Sequence, residues 1–320
     1  MMMNKYRLIN WLYYEIKPAT PRSLQLTLRR LLTSFRRIRN RDIWPINPQA
    51  GTPPAGWTGW PHHRQFALVL THDVDSAKGE DRCLDLMKID QDAGFRSAFY
   101  FVPGSVRKTA SVVPELKRNG FEVGVHGLFH DGKLFRSRRK FRTRALLINQ
   151  FLAKWGAVGF RGDCMHRELD WIHDLNILYD ASTFDVDPFE PQPTGMTTIF
   201  PFIVESRDTG KRYIELPYTL PQDFTLFVIM REKSINIWKN KLDWIAAKGG
   251  MAQLITHPDY MNFDSARLAV DEYPVAFYRE FLAYIKQKYG GQFWPALPSE
   301  MAQYWNSLDS DSRVSPPIIK

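Results

Sequence analysis

Apolar positions fall in two alternating patterns across the middle of the chain. Residues 66–70, 97–102, 121–125, 157–160 and 252–256 are short, nearly continuous apolar runs, several rich in β-branched or aromatic side chains, and they predict buried strands. Residues 81–93, 112–118, 141–155, 233–248 and 275–289 carry apolar side chains at helical spacing and predict helices. Strand alternating with helix predicts a parallel sheet covered on its faces, and six or more such repeats can close into a barrel. In that architecture chemistry collects where strands end and loops begin.

Two different segments precede this pattern. Residues 21–41 place Leu24, Leu28, Leu31, Leu32, Phe35 and Ile38 at helical spacing, with seven arginines among the remaining positions. Such a basic amphipathic helix can lie on an anionic leaflet, apolar face in the acyl boundary and arginines on head groups, or can pack on its own domain. Residues 43–65 follow with five prolines, three glycines and little periodicity, which reads as an extended linker. Its Trp44, Trp57 and Trp60 suit a sugar-binding groove or, more simply, pin the linker down. The expected organisation is a basic helical arm over 1–42, a linker over 43–65, a (β/α) domain over 66–310 and a tail over 311–320.

Charge sharpens the division. The chain of 320 residues has a formal charge of +9, yet residues 1–45 alone hold ten Lys or Arg against Glu15 and Asp42. The globular part is thus close to neutral, so no nucleic-acid partner is expected, and contact with a membrane surface is assigned to residues 1–45. No run approaches the roughly 18 apolar residues of a membrane span, and no cleavable leader is recognisable, so the expected location is cytoplasmic, peripheral to a membrane at most. Cys83 and Cys164 make no cysteine zinc site; one bridge between them stays open.

The strand ends carry the candidate chemistry. The run ALVL at 67–70 passes directly into Thr71-His72-Asp73-Val74-Asp75, and two carboxylates at a partly dry strand end need a cation. Residues 121–126 repeat the design and end in His126-Gly-Leu-Phe-His130, whose spacing suits two imidazoles on one side of a helical turn facing one ion. Two histidines and an aspartate leave a coordination position for water, the pattern of a catalytic metal site. Three further runs end in Arg161, Asp180 and His257.

THDVD, HGLFH, GFR, YDAS and LITHP, in this order over about residues 66–260, resemble the five motifs of the NodB-type polysaccharide deacetylases, carbohydrate esterase family four, in the branch with an Asp-x-Asp first motif. The resemblance implies a distorted (β/α) barrel, a divalent metal, zinc first with cobalt, manganese or nickel as alternatives, and removal of an N-acetyl group from an amino sugar in a polysaccharide or its lipid-linked precursor. It implies Asp73 as catalytic base, Asp75, His126 and His130 as metal ligands, Arg161 as partner of the base and His257 as general acid. Asp180 resembles the acidic residue that orients or tunes the acid, with Asp185 competing for that role. The chain departs from the pattern at His72, which is open to being a fourth ligand, a stacking group or a bystander, and at Arg161-Gly-Asp-Cys164. There Asp163 adds negative charge near the expected groove, while the Cys164 N–H remains a candidate oxyanion donor.

Other readings compete. Hydrolysis of a different non-peptide C–N bond fits the same fold, as does a barrel that binds glycans without cutting them. His72-Asp73, His130-Asp131 and His173-Asp174 suggest an HD-type phosphohydrolase, but that fold is all-helical. Seven basic residues within 133–144 either rim the groove, favouring an acidic glycan or a lipid-linked pyrophosphate, or form a solvated helix start.

Overall fold

The computed structural model describes residues 20–264, 267–310 and 318–319. The start of the expected arm, residues 1–19, and nearly all of the expected tail lie outside the described residues. The chain enters through helix α1, Arg22–Arg39, then crosses residues 43–65 to strand β1, Phe66–Val74. Next come α2 (Ala77–Asp92), β2 (Ala98–Phe101), α3 (Thr109–Arg118), β3 (Glu122–His126), α4 (Arg138–Trp155), β4 (Gly159–Arg161), the single turn α5 (Leu169–Ile172) and β5 (Tyr179–Asp180). Strands β6 (Phe202–Glu205) and β7 (Arg212–Glu215) lead to a π-helix, Phe224–Ile229, then α6 (Asn236–Lys248) and β8 (Met251–Thr256). The described chain finishes with β9 (Met261–Asn262), β10 (Tyr273–Pro274), α7 (Ala276–Tyr289), β11 (Phe293–Pro295), α8 (Pro298–Ser310) and β12 (Ile318–Ile319).

Strand β1 is buried along its whole length because it has parallel neighbours on both sides, β2 on one and β8 on the other. From β2 the sheet runs outward in parallel through β3, β4, β5 and β7, and β6 then pairs antiparallel with β7. On the far side the Thr219 and Leu220 N–H groups donate to the Gln253 carbonyl at 3.1 and 3.0 Å, and the Gln253 amide donates to the Leu216 carbonyl at 3.1 Å. The sheet therefore curls towards closure through loop hydrogen bonds, which is the parallel sheet expected from the alternation and the distorted barrel implied by the resemblance. All five expected strands and all five expected helices form. This parallel sheet also removes the helical HD-type alternative.

The linker is anchored by its tryptophans. The Trp60 indole donates to the Gly249 carbonyl at 2.8 Å, Trp57 packs on Trp60 and Trp305, and buried Trp44 meets Phe189 edge-on at 4.9 Å. Cys83 and Cys164 are not bridged to each other.

Helix α1 reverses the usual orientation of an amphipathic surface helix. Leu24, Leu28, Leu31, Leu32, Phe35 and Ile38 are 49–73% exposed, whereas its arginines turn to the barrel. Arg30 donates to the Val228 and Val270 carbonyls, Arg36 to the Pro188 carbonyl, and Arg22 and Arg37 pair with Asp271 and Glu232. The expected arrangement, arginines on head groups, is corrected for these four: carbonyls and acidic side chains on the barrel and its loops bind them.

Candidate active site

Side chains alternate across a strand, so on β1 Asp73 points into the barrel and His72 away from it. His72 sits between Thr256 and Asp90, at 2.7 and 2.9 Å, and packs on Phe99 and Tyr278; it is a core residue and no metal ligand. Asp73 is salt-bridged to Arg161, Nη1 to Oδ1 at 2.5 Å, with both side chains essentially buried. Arg161 also donates to Thr71 Oγ1 and the Ala181 carbonyl, and its guanidinium lies 4.3 Å from the Tyr100 ring centroid. Burial pushes the Asp73 carboxyl up, but Arg161, then His126 and His257, outweigh it, and the group is held below the usual carboxylate range.

Asp75, just beyond β1, faces His126 from the end of β3 and His130 from the following turn. His126 Nε2 and His130 Nε2 stand 3.5 and 3.3 Å from Asp75 Oδ1. In a tetrahedral site with bonds of about 2.0–2.1 Å, ligand atoms stand about 3.3–3.4 Å apart, so the three groups fit a zinc-like ion with a position left open. The Nδ1 of His126 lies 3.2 Å from the Arg161 carbonyl, a proton acceptor that leaves the Nε2 lone pair to the cluster. Burial lowers the His126 pKa, which keeps the ring neutral as a ligand requires. The four-residue spacing does not act through a helical turn, however. Gly127 and His130 adopt left-handed φ values of 57° and 46°, and the turn is pinned from below by Asp163, which accepts from the Gly132 N–H at 2.8 Å. A Cβ at Gly127 would come within 2.8 Å of the Asp163 side chain, so glycine is required there. Asp163 thus holds the turn between His126 and His130, correcting its expected place near the groove, while Cys164 lines the cavity.

His257, just past β8, completes the cluster, but its partner differs from expectation. Its Nδ1 lies 2.6 Å from Asp223 Oδ1, and its backbone N–H and the Tyr273 hydroxyl bind Asp223 Oδ2. Burial lowers the pKa of His257, yet Asp223 overrides this and raises it to about 10. Asp180 is instead buried against Ser182 and Glu215, and Asp185 is paired with Lys241 at 2.6 Å. Neither touches His257. Sequence reasoning missed Asp223 because it opens the short π-helix, which has neither strand nor helix period; the one available signal was a carboxylate closing the run LPYTLPQD. It also missed Asp259, which accepts from the Asp75 N–H and Ser76 hydroxyl and so fixes the loop that carries Asp75.

These groups share a cavity of about 100 Å³ with Arg22, Arg29, Glu190, Phe224 and Tyr260. A larger cavity of about 680 Å³ adjoins it, sharing Arg22, Asp75, His130 and Tyr260. Of the basic segment over 133–144, Lys133 lines this second cavity, but Arg138 and Arg142 pair with Asp174, and Arg144 grips Asp131 through both guanidinium ends. Three of the seven basic side chains are thus spent on acidic groups of the protein.

Among solved structures, one assigned as a polysaccharide deacetylase from Mycobacterium smegmatis superimposes with a TM-score of 0.60 at 18% identity, over 84% of this chain and 98% of its own. A second, assigned likewise, from Pseudomonas aeruginosa gives 0.61 at 16% identity over 80% and 95%. The chain has the NodB-type deacetylase fold. The Puue allantoinase shares it, with a TM-score of 0.62 at 16% identity over 80% and 94% of the two chains. No family model and no curated protein sequence matches the chain.

Proposed function

We propose that the chain is a metal-dependent hydrolase that removes an N-acetyl group from an amino sugar, in a polysaccharide or its lipid-linked precursor. The observation that carries this reading is the convergence at one cavity of a two-histidine, one-carboxylate cluster, a separate Arg-paired carboxylate and a carboxylate-paired histidine. A glycan-binding barrel needs no such set. The allantoinase neighbour favours, as the second reading, hydrolysis of another C–N bond.

On this reading residues 66–310 carry the chemistry, and α1 supplies one wall of the site. Asp75, His126 and His130 would hold the ion, zinc first on the family resemblance and the His/Asp donor set, with cobalt, manganese or nickel as alternatives. When bound, the ion lowers the pKa of a water molecule and polarises the acyl oxygen. Asp73, kept ionised by Arg161, accepts a proton from the attacking water. An amine leaves poorly, so His257 delivers a proton to the nitrogen, and Asp223 keeps that proton in place at neutral pH.

Acetate release from N-acetylglucosamine oligomers by the zinc-loaded chain tests the proposal, and no release from any N-acetylated glycan would sink it. Because Asp223 raises the pKa of His257, Asp223→Asn lowers it; the alkaline fall of kcat should therefore begin at lower pH in the variant than in the wild type. Superimposable pH–rate profiles would remove His257 as the acid.

Helix α1 adds a partner. No helix among the described residues is long and apolar enough to cross a membrane. Its exposed apolar stripe, on a segment with no acidic residue from 22 to 41, suits peripheral contact with an anionic bilayer. Leu28→Ser combined with Phe35→Ser should reduce liposome co-sedimentation by on the order of tenfold or more. Equal binding by wild type and variant would exclude the stripe as the contact.

A further inference from the structure

Five arginines of α1 turn inward, and four of them have acceptors on the barrel or its loops. Arg29 is different. Its guanidinium lies over the Phe224 ring, 4.9 Å from the centroid, and has no hydrogen-bond or ion-pair partner among the described residues. Stacking engages the flat face of a guanidinium and leaves its five N–H donors unused. These donors belong to a half-buried residue that lines the same cavity as Asp73, Asp75, His126, His130 and His257. Arg22, two helical turns earlier on the same face, also lines it and lies 5.6 Å from the same ring.

We propose that Arg29, supported by Arg22, is a binding site for an anionic group, phosphate or carboxylate, carried by the substrate beside the scissile amide. The inference rests on the deacetylase reading only for calling the ligand a substrate. A purely structural role would ask for a carboxylate hydrogen-bonded to Arg29, and Glu190, an acid lining the same cavity, is engaged elsewhere. Glu190 accepts from the Gln222 amide at 2.7 Å and the Tyr218 hydroxyl at 3.2 Å. Burial, then the charge of Asp187, pushes its carboxyl up to about 8, which weakens it as a partner for Arg29, and Asp187 acts on Arg29 only through its charge, its carboxylate accepting from the Phe189 N–H and the Tyr218 hydroxyl. Arg22 stands where the inner cavity meets the larger one, along the path a bound sugar would follow outward.

The test is calorimetric titration of the zinc-loaded full chain with N-acetylglucosamine, N-acetylglucosamine 1-phosphate and a disaccharide of N-acetylglucosamine with glucuronate. Wild type should bind at least one anionic probe about tenfold more tightly than the neutral sugar, the worth of one charge-assisted hydrogen bond. Preference for the phosphate points to a phosphate-linked substrate, and preference for the glucuronate to an acidic glycan. In Arg29→Gln the ratio should collapse to about one, while Arg29→Lys keeps part of it; thermal melts check that both variants fold. No preference in wild type, or a preference that survives Arg29→Gln as it would for an anion held by the metal, overturns the proposal. Acetate release is measured on the same samples. Release from the neutral sugar without anion preference sinks this inference alone, whereas an Arg29-dependent preference without release from any probe sinks the deacetylase reading and leaves the site standing.

Discussion

Elemental analysis of the purified wild-type chain is expected to find about one divalent ion per chain, and His126→Ala to lose it. The nearest other carboxylate, Asp73, is already held by Arg161. His126 is 2% exposed at the end of a buried strand, its Nδ1 is engaged by the Arg161 carbonyl, and its Nε2 faces Asp75. Altering a group that merely orients a ligand weakens metal binding by about 10- to 100-fold, so deleting one of three ligands should exceed that upper figure. Asp75→Ala should behave alike, because its Oδ1 faces both imidazole nitrogens. Acetate release should fall to background in both. Chelator competition gives the affinities, and circular dichroism separates metal loss from unfolding. Full zinc occupancy in both variants would show that these three residues do not form the metal site.

The parts of this site that were legible in the sequence are those set by local periodicity. Four apolar residues ending in THDVD had to be a buried strand delivering carboxylates to its end, and the same logic placed His126, Arg161 and His257. What escaped depends on contacts distant in sequence. Asp223 reaches His257 across 34 residues from a π-helix whose six residues are all buried, so no alternation marks it. Asp180 follows a strand as convincingly as Asp73 does, yet Ser182 and Glu215 claim it. Helix α1 shows the limit most plainly. Its periodicity announced an apolar stripe but could not say which way the stripe faces, and carbonyls 198 and 240 residues away, at Val228 and Val270, hold Arg30 inward.

The comparison of Asp73→Asn with the ligand variants separates holding the metal from doing the chemistry. Asparagine keeps the shape of the side chain and one acceptor for Arg161, but it cannot take a proton. A missing general base lowers kcat by about 10²–10⁴-fold. Zinc stoichiometry should stay near one per chain, since Asp73 Oδ2 stands 3.7 Å from His126 Nε2 and Asp73 is not among the three groups whose donor atoms converge. The substitution also leaves the Arg161 charge buried without a counter-charge. Breaking a buried pair outright costs about 3–5 kcal/mol, and the retained hydrogen bond, with those to Thr71 and Ala181, should hold the loss below that range. A modest drop in melting temperature, unchanged metal and a large fall in kcat form one signature. Metal lost together with activity would instead make Asp73 a fourth ligand, and kcat within tenfold of wild type would move the base to another carboxylate of the cavity.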